Sequence, residues 1–305
     1  VIYLKERVLK IISISGMLSV LIVVIMGALV TNTGSAYGCG NNWPLCNGQV
    51  IPNAQAHQTW IEFSHRVVSG LASILVVIQA IWLWRPFKKV WSGRFLIIAS
   101  VFFIFLQAFL GMAAVVWGQS SVVLALHFGI SLLSFASMLL LTCLVLEFGK
   151  PHLKLFQFTV HKAMKWNFIL MGIFSYILIY SGAFVRHTES SLGCRDFPLC
   201  NGHIFPEPLI SKAGVQYLHR VLALVLLLWL VWTLIVVYKR YQSQAQLFTV
   251  VFFALIFVLL QAVSGAFIIL TKMNLLFLLL HAFFVTGFFG LLTVLILFCS
   301  RPQAK

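Results

Sequence analysis

Eight apolar runs of about twenty residues, the length that crosses a hydrocarbon core as a helix, take up most of this 305-residue chain. They lie near 11–30, 60–84, 95–117, 121–146, 164–185, 214–238, 246–270 and 274–299. With 61% hydrophobic and only 9% charged residues, almost nothing is left for a soluble domain. The expected fold is all-α, a polytopic membrane protein of eight transmembrane helices.

The formal net charge of +15 is arranged by side. Lys5, Arg7, Lys10, Arg85, Lys88, Lys89, Arg94, Lys150, Lys154, Lys162, Lys165, Lys239, Arg240, Arg301 and Lys305 share one face of the eight-span arrangement, while the 31–59 loop on the other carries no Lys or Arg. By the positive-inside rule both termini are cytoplasmic and the cysteine-bearing loops lie outside the cell membrane. The charge is therefore topological, and no nucleic-acid partner is implied. The first run has the basic-then-apolar pattern of a signal peptide, but its length and its match to the fifth run argue for a retained helix.

That match belongs to an internal repeat. IEFSHRVVSGLA is echoed by VQYLHRVLALVL, LQAFLG by LQAVSG, and ALHFGISLLSF by LLHAFFVTGFF, all at an offset of 154. GALVTNTGSAYGCGNNWPLCNG aligns with GAFVRHTESSLGCRDFPLCNG after one deletion between the cysteines. Each repeat holds four spans, an even number, so the two halves run parallel as tandem four-helix bundles, 1–150 and 151–305.

Four of the nine histidines sit inside spans: His65, His127, His219 and His281. Each is about six residues from the outer end of its helix, roughly 9 Å down. Within each repeat the two histidine-bearing helices cross in the same direction, so their imidazoles can oppose at one depth. Opposed neutral nitrogen donors in an apolar bundle suit axial haem ligation. Interhelical hydrogen bonding is the simpler alternative, and zinc lacks a third and fourth ligand. His57, His187 and His203 are expected in outer loops, and His152 and His161 in the cytoplasmic connection. Arg66 and Arg220 follow the first histidine of each repeat and can snorkel toward haem propionates. Gln107 with Gly111, and Gln261 with Gly265, share helix faces; close ring approach and ordinary helix packing both account for them.

The repeats differ at one telling position. Glu62 lies three residues before His65, on its face, and its counterpart is Gln216. An acid is needed where protons move or a cation develops, not where electrons merely pass. Repeat one is thus expected to hold a substrate and repeat two a permanent electron-transfer haem. Cys143 and Cys299 read as core residues. Cys39 with Cys46, and Cys194 with Cys200, form short outer-loop pairs that favour disulfides, either as staples or as redox participants.

These residues carry a resemblance to the haem A synthases of the Gram-positive type with paired loop cysteines, over essentially the whole chain. The GALVTNTGSAYGCGNNWPLCNG loop, the IEFSHR segment, GAFVRHTESSLGC and the three later helical histidines are its marks. The resemblance implies oxidation of the C8 methyl of haem O to a formyl group through a hydroxylated intermediate. It implies that His65 and His127 flank haem O, that His219 and His281 ligate haem B, and that Glu62 is the essential acid. It also implies Cys39–Cys46 and Cys194–Cys200 as the family's loop pairs, a protohaem farnesyltransferase as partner, and an electron acceptor of unstated identity. The competing reading is a dihaem b-type, quinol-linked electron-transfer cytochrome. A transporter fits least, because the polar residues cluster in the outer leaflet and no expected span contains an internal proline.

Overall fold

The computed structural model describes residues 2–53, 55–118, 120–147, 158–206 and 208–301, with residues 2–5 described by backbone alone. The described residues form eight helices: α1 (Ile2–Asn32), α2 (His57–Phe87), α3 (Trp91–Val116), α4 (Ser121–Glu147), α5 (Lys162–His187), α6 (Lys212–Arg240), α7 (Ala245–Leu270) and α8 (Leu275–Ser300). All eight contain a stretch long and apolar enough to cross a membrane, and the chain is a multi-pass membrane protein. Lys150, His152 and Lys154 lie outside the described residues.

Some helices run past their apolar runs, α1 (Ile2–Asn32) well before residue 11 and α2 (His57–Phe87) about a turn at each end, because backbone hydrogen bonding does not stop where charge begins. His57 is the first residue of α2 and His187 the last of α5, not loop residues, and His161 caps α5 by accepting from Ala163 N at 3.4 Å. The expectation of proline-free spans is corrected for the same reason: α2 continues past Arg85 and takes in Pro86, one residue before its end. Ser211 Oγ and Asn274 Oδ1 cap α6 and α8, each satisfying an otherwise orphaned amide.

The chain divides into two compact units, Val1–Leu155 and Phe156–Lys305. In unit 1, α1 packs on α2 and α4, and α3 packs on the same two, which closes a ring. Helices α2 and α4 therefore stand on a diagonal and do not pack on each other. Unit 2 has a ring of its own, with α5 and α7 each between α6 and α8. Lipid gives helices no hydrophobic reason to associate, so close packing and polar glue hold them. In unit 1, Val20, Val76, Ile104, Phe135 and Met138 interlock, and Thr142 Oγ1 donates to the Ser13 carbonyl of α1 at 3.0 Å. In unit 2, Asn167 of α5 donates to Thr233 Oγ1 at 3.2 Å and accepts from Trp229 Nε1 at 2.8 Å.

Candidate functional site

The diagonal helices carry the candidate ligands. His65 and His127 extend from α2 and α4 into unit 1, close enough to act on each other electrostatically, and His219 and His281 do the same in unit 2. They lie six to eight residues inside their helices, a depth of about 9–12 Å at 1.5 Å per residue. Each ring is backed by a glycine of the preceding helix. A Cβ added to Gly27, Gly111, Gly182 or Gly265 would lie 3.5, 3.3, 2.9 or 3.1 Å from Cε1 of His65, His127, His219 or His281. Gly111 and Gly265 thus receive the imidazole itself, and Gly27 and Gly182, which sequence reasoning passed over, do the same from α1 and α5.

These surroundings suit a flat ring held between two imidazoles. The ring Nε2 atoms have no hydrogen-bond partner among the described residues. The side-chain oxygens of Gln107 and Gln261, one turn before Gly111 and Gly265, are buried and unpartnered, an expensive state unless a ligand group meets them. Among the described residues no three His, Cys, Asp or Glu side chains converge as a metal cluster.

Above each pair, a loop is fastened onto the start of α2 or α6. The Asn47-Gly48 and Asn201-Gly202 steps have positive φ at both residues, and Cys46 pairs with Gln49 and Cys200 with His203 across them. This is the two-residue hairpin turn for which Asn-Gly is favoured, and it explains the repeated LCNG. Cys39–Cys46 and Cys194–Cys200 are disulfide-bonded. Gly38 and Gly193 lie flat on the helix start, where a Cβ would meet Gln58 O at 2.4 Å and the Lys212 carbonyl at 2.5 Å. Gly193→Ala is therefore expected to lift its loop and speed reduction of Cys194–Cys200 by about 10-fold, matching ~1.4 kcal/mol of lost docking. Thiol labelling under limiting reductant measures it; an unchanged rate would show that the glycine does not set the docking.

Glu62 is buried at 3% exposure. Its Oε2 accepts from Cys39 N at 2.7 Å, and its Oε1 accepts from Arg66 Nη2 at 2.5 Å and Nε at 3.1 Å. Arg66 Nη1 donates to the carbonyls of Asn42 and Leu45 at 2.8 and 2.9 Å. In unit 2, Gln216 Oε1 accepts from Cys194 N at 2.5 Å while its Nε2 donates to Ser191 O at 2.7 Å. Arg220 donates to the carbonyls of Leu199 and Asp196 at 2.8 and 2.9 Å. Both arginines, expected near propionates, thus clamp loop carbonyls, contacts that no linear spacing announces.

The arginine's counter-charge has changed place between the units. In unit 1 it is Glu62 on the helix, with Asn42 in the loop; in unit 2 it is Asp196 in the loop, with Gln216 on the helix. The Asp196 carboxylate is held below its ordinary range first by the Gly202 N–H, and also by the Asn201 N–H and Arg220. The deletion between the cysteines blurs this correspondence in the sequence.

A family model described as cytochrome oxidase assembly protein (COX15-CtaA) matches residues 10–295. The chain is similar to a protein named heme A synthase from Shouchella clausii, 45% identical over 293 residues covering 94% of this chain and 96% of that one. It is also similar to heme A synthases of Geobacillus kaustophilus (44% over 298 residues, 98% and 93%) and Bacillus licheniformis (43% over 300 residues, 98% and 99%).

Proposed function

Because the chain belongs to the COX15-CtaA family of cytochrome oxidase assembly proteins, we propose that it is a haem A synthase, an oxidoreductase that converts the C8 methyl of haem O to a formyl group through a hydroxylated intermediate. The observation that carries this reading is the buried carboxylate of Glu62 beside the His65–His127 pair, where the His219–His281 pair has Gln216. In this reading unit 1 takes haem O as substrate between His65 and His127, and unit 2 keeps haem B between His219 and His281. Haem B supplies one-electron transfer when bound.

The protein's own part is placement and proton handling. Glycine-backed imidazoles fix the substrate's height in the bundle. Glu62 lies one turn above His65, where it can take a proton from the reacting carbon or steady positive charge developing there. The ion pair with Arg66 and the bond from Cys39 N hold it in place beneath the loop. Arg66 keeps one Nη2 hydrogen beyond its bonds to Glu62, Asn42 and Leu45, and Arg220 Nε is buried and unpartnered, so each arginine retains a donor for a propionate. The disulfides act as staples that hold the loops to these arginines. By the charge asymmetry of the sequence, the loops face outward and the termini the cytoplasm. A protohaem farnesyltransferase supplies the substrate in this scheme, and a separate acceptor removes the electrons.

The test is expression in a host that makes haem O but no haem A, with extracted haems identified by chromatography and mass spectrometry. Haem A is expected. Haem B alone, with haem O untouched, would favour the dihaem electron-transfer cytochrome.

A further inference from the structure

The two units treat the far nitrogens of their histidines differently. In unit 2, His219 Nδ1 lies 2.8 Å from Ser181 Oγ. His281 Nδ1 lies 3.1 Å from Ser264 Oγ and 3.0 Å from the Gln261 carbonyl oxygen. Each serine hydroxyl has a carbonyl to donate to, Leu178 O at 2.7 Å from Ser181 Oγ and Gln261 O at 3.0 Å from Ser264 Oγ. A hydroxyl has one proton, so with that proton on the carbonyl each Oγ is placed to accept from its ring, and at His281 the Gln261 carbonyl itself can only accept. Both imidazoles of unit 2 therefore carry their proton on Nδ1 and present a lone pair at Nε2.

In unit 1, Nδ1 of His65 and of His127 is buried with no hydrogen-bond partner. The Gln107 carbonyl faces the His127 ring as the Gln261 carbonyl faces His281, but without the geometry of a full hydrogen bond, and no hydroxyl stands beside it. The cause is legible in the chain. The residue before each backing glycine is Ser181 or Ser264 in unit 2 but Met26 or Leu110 in unit 1.

Resting on the assignment of haem O to unit 1 and haem B to unit 2, we propose that Ser181 and Ser264 lock the unit 2 imidazoles to retain their haem, whereas Met26 and Leu110 leave the unit 1 imidazoles without a hydroxyl partner, so that unit 1 exchanges its haem. An acceptor on Nδ1–H fixes the tautomer and ring orientation and makes Nε2 a stronger donor. A ring without one lacks that hydrogen-bonded restraint and binds iron less firmly. Such looseness fits a unit that must release each product, and firmness fits one that keeps a redox centre. Ser181 and Ser264 are positioning residues, since they act through the imidazoles.

The experiment uses the purified full-length protein, with apomyoglobin as haem acceptor and a spectroelectrochemical titration of the retained haem. Ser181→Ala and Ser264→Ala are each expected to speed haem B loss by about 10-fold, the low end for removal of a ligand's outer hydrogen bond. They are also expected to raise its midpoint potential, because a weaker donor stabilises ferric iron less. Ser181→Thr, which keeps the hydroxyl, restores both. Conversely, Met26→Ser combined with Leu110→Ser slows haem loss from unit 1 by a similar factor, a gain that misfolding cannot imitate. Unchanged loss rate and potential in the double alanine variant, with full haem content, would overturn the proposal. Should His219→Ala leave haem B content intact, the allotment of haems to units fails instead, and the proposal falls with it.

Discussion

Glu62→Gln lowers haem A formation by at least about 100-fold, the scale on which a positioned proton-transferring group acts, yet leaves the loop docked. Unit 2 supplies the reason for the second half of this expectation. Gln216 occupies the matching place and accepts from Cys194 N at 2.5 Å, so an amide at position 62 can keep the bond from Cys39. What the variant loses is the carboxylate, and with it the partner of Arg66. A second substitution separates those two losses. Adding Asn42→Asp to Glu62→Gln moves the negative charge into the loop, the arrangement unit 2 has with Asp196. If the carboxylate serves the chemistry, the double variant stays inactive. Recovery of haem A would show instead that Glu62 merely balances Arg66.

The second large effect is expected at Gly182. A Cβ there would lie 2.9 Å from His219 Cε1, closer than such contacts are tolerated, and the ring cannot retreat without breaking the bond between Nδ1 and Ser181. Gly182→Ala should therefore weaken haem B retention by about 10- to 100-fold, as loss of ligand orientation does. The same change at Gly27, where the spacing is 3.5 Å, should cost a few-fold at most. Haem-to-protein ratios and reduced-minus-oxidised spectra measure both. Equal effects at the two positions would mean that ring clearance is not what the glycines provide.

Much of this architecture was legible in the sequence, for a physical reason. Hydrocarbon thickness sets a helix length that composition alone reveals, so all eight helices were expected; only their ends were short, because Arg85 and His57 interrupt an apolar run without interrupting a helix. The four histidines proposed as ligands and Glu62 stand out because polar groups are costly in lipid. Their partners were harder to see. Ser181 sits on the helix before His219, and nothing in a linear reading joins the two, although SG in one half against MG and LG in the other was there to be noticed. Snorkelling is a one-helix argument, so it points Arg66 toward a propionate and says nothing of the loop. The arginine's bonds to Asn42 and Leu45 require a loop folded back on α2, which depends on Gly38 lying flat against Gln58.

The division of labour between the units is tested most directly by counting haems in two purified double variants from a host making both haem B and haem O. One lacks His65 and His127, the other His219 and His281, each pair replaced by alanine. The unit 1 variant should retain haem B and contain neither haem O nor haem A, while the unit 2 variant should lose haem B. Loss of haem B from the unit 1 variant with full retention in the unit 2 variant would contradict the assignment.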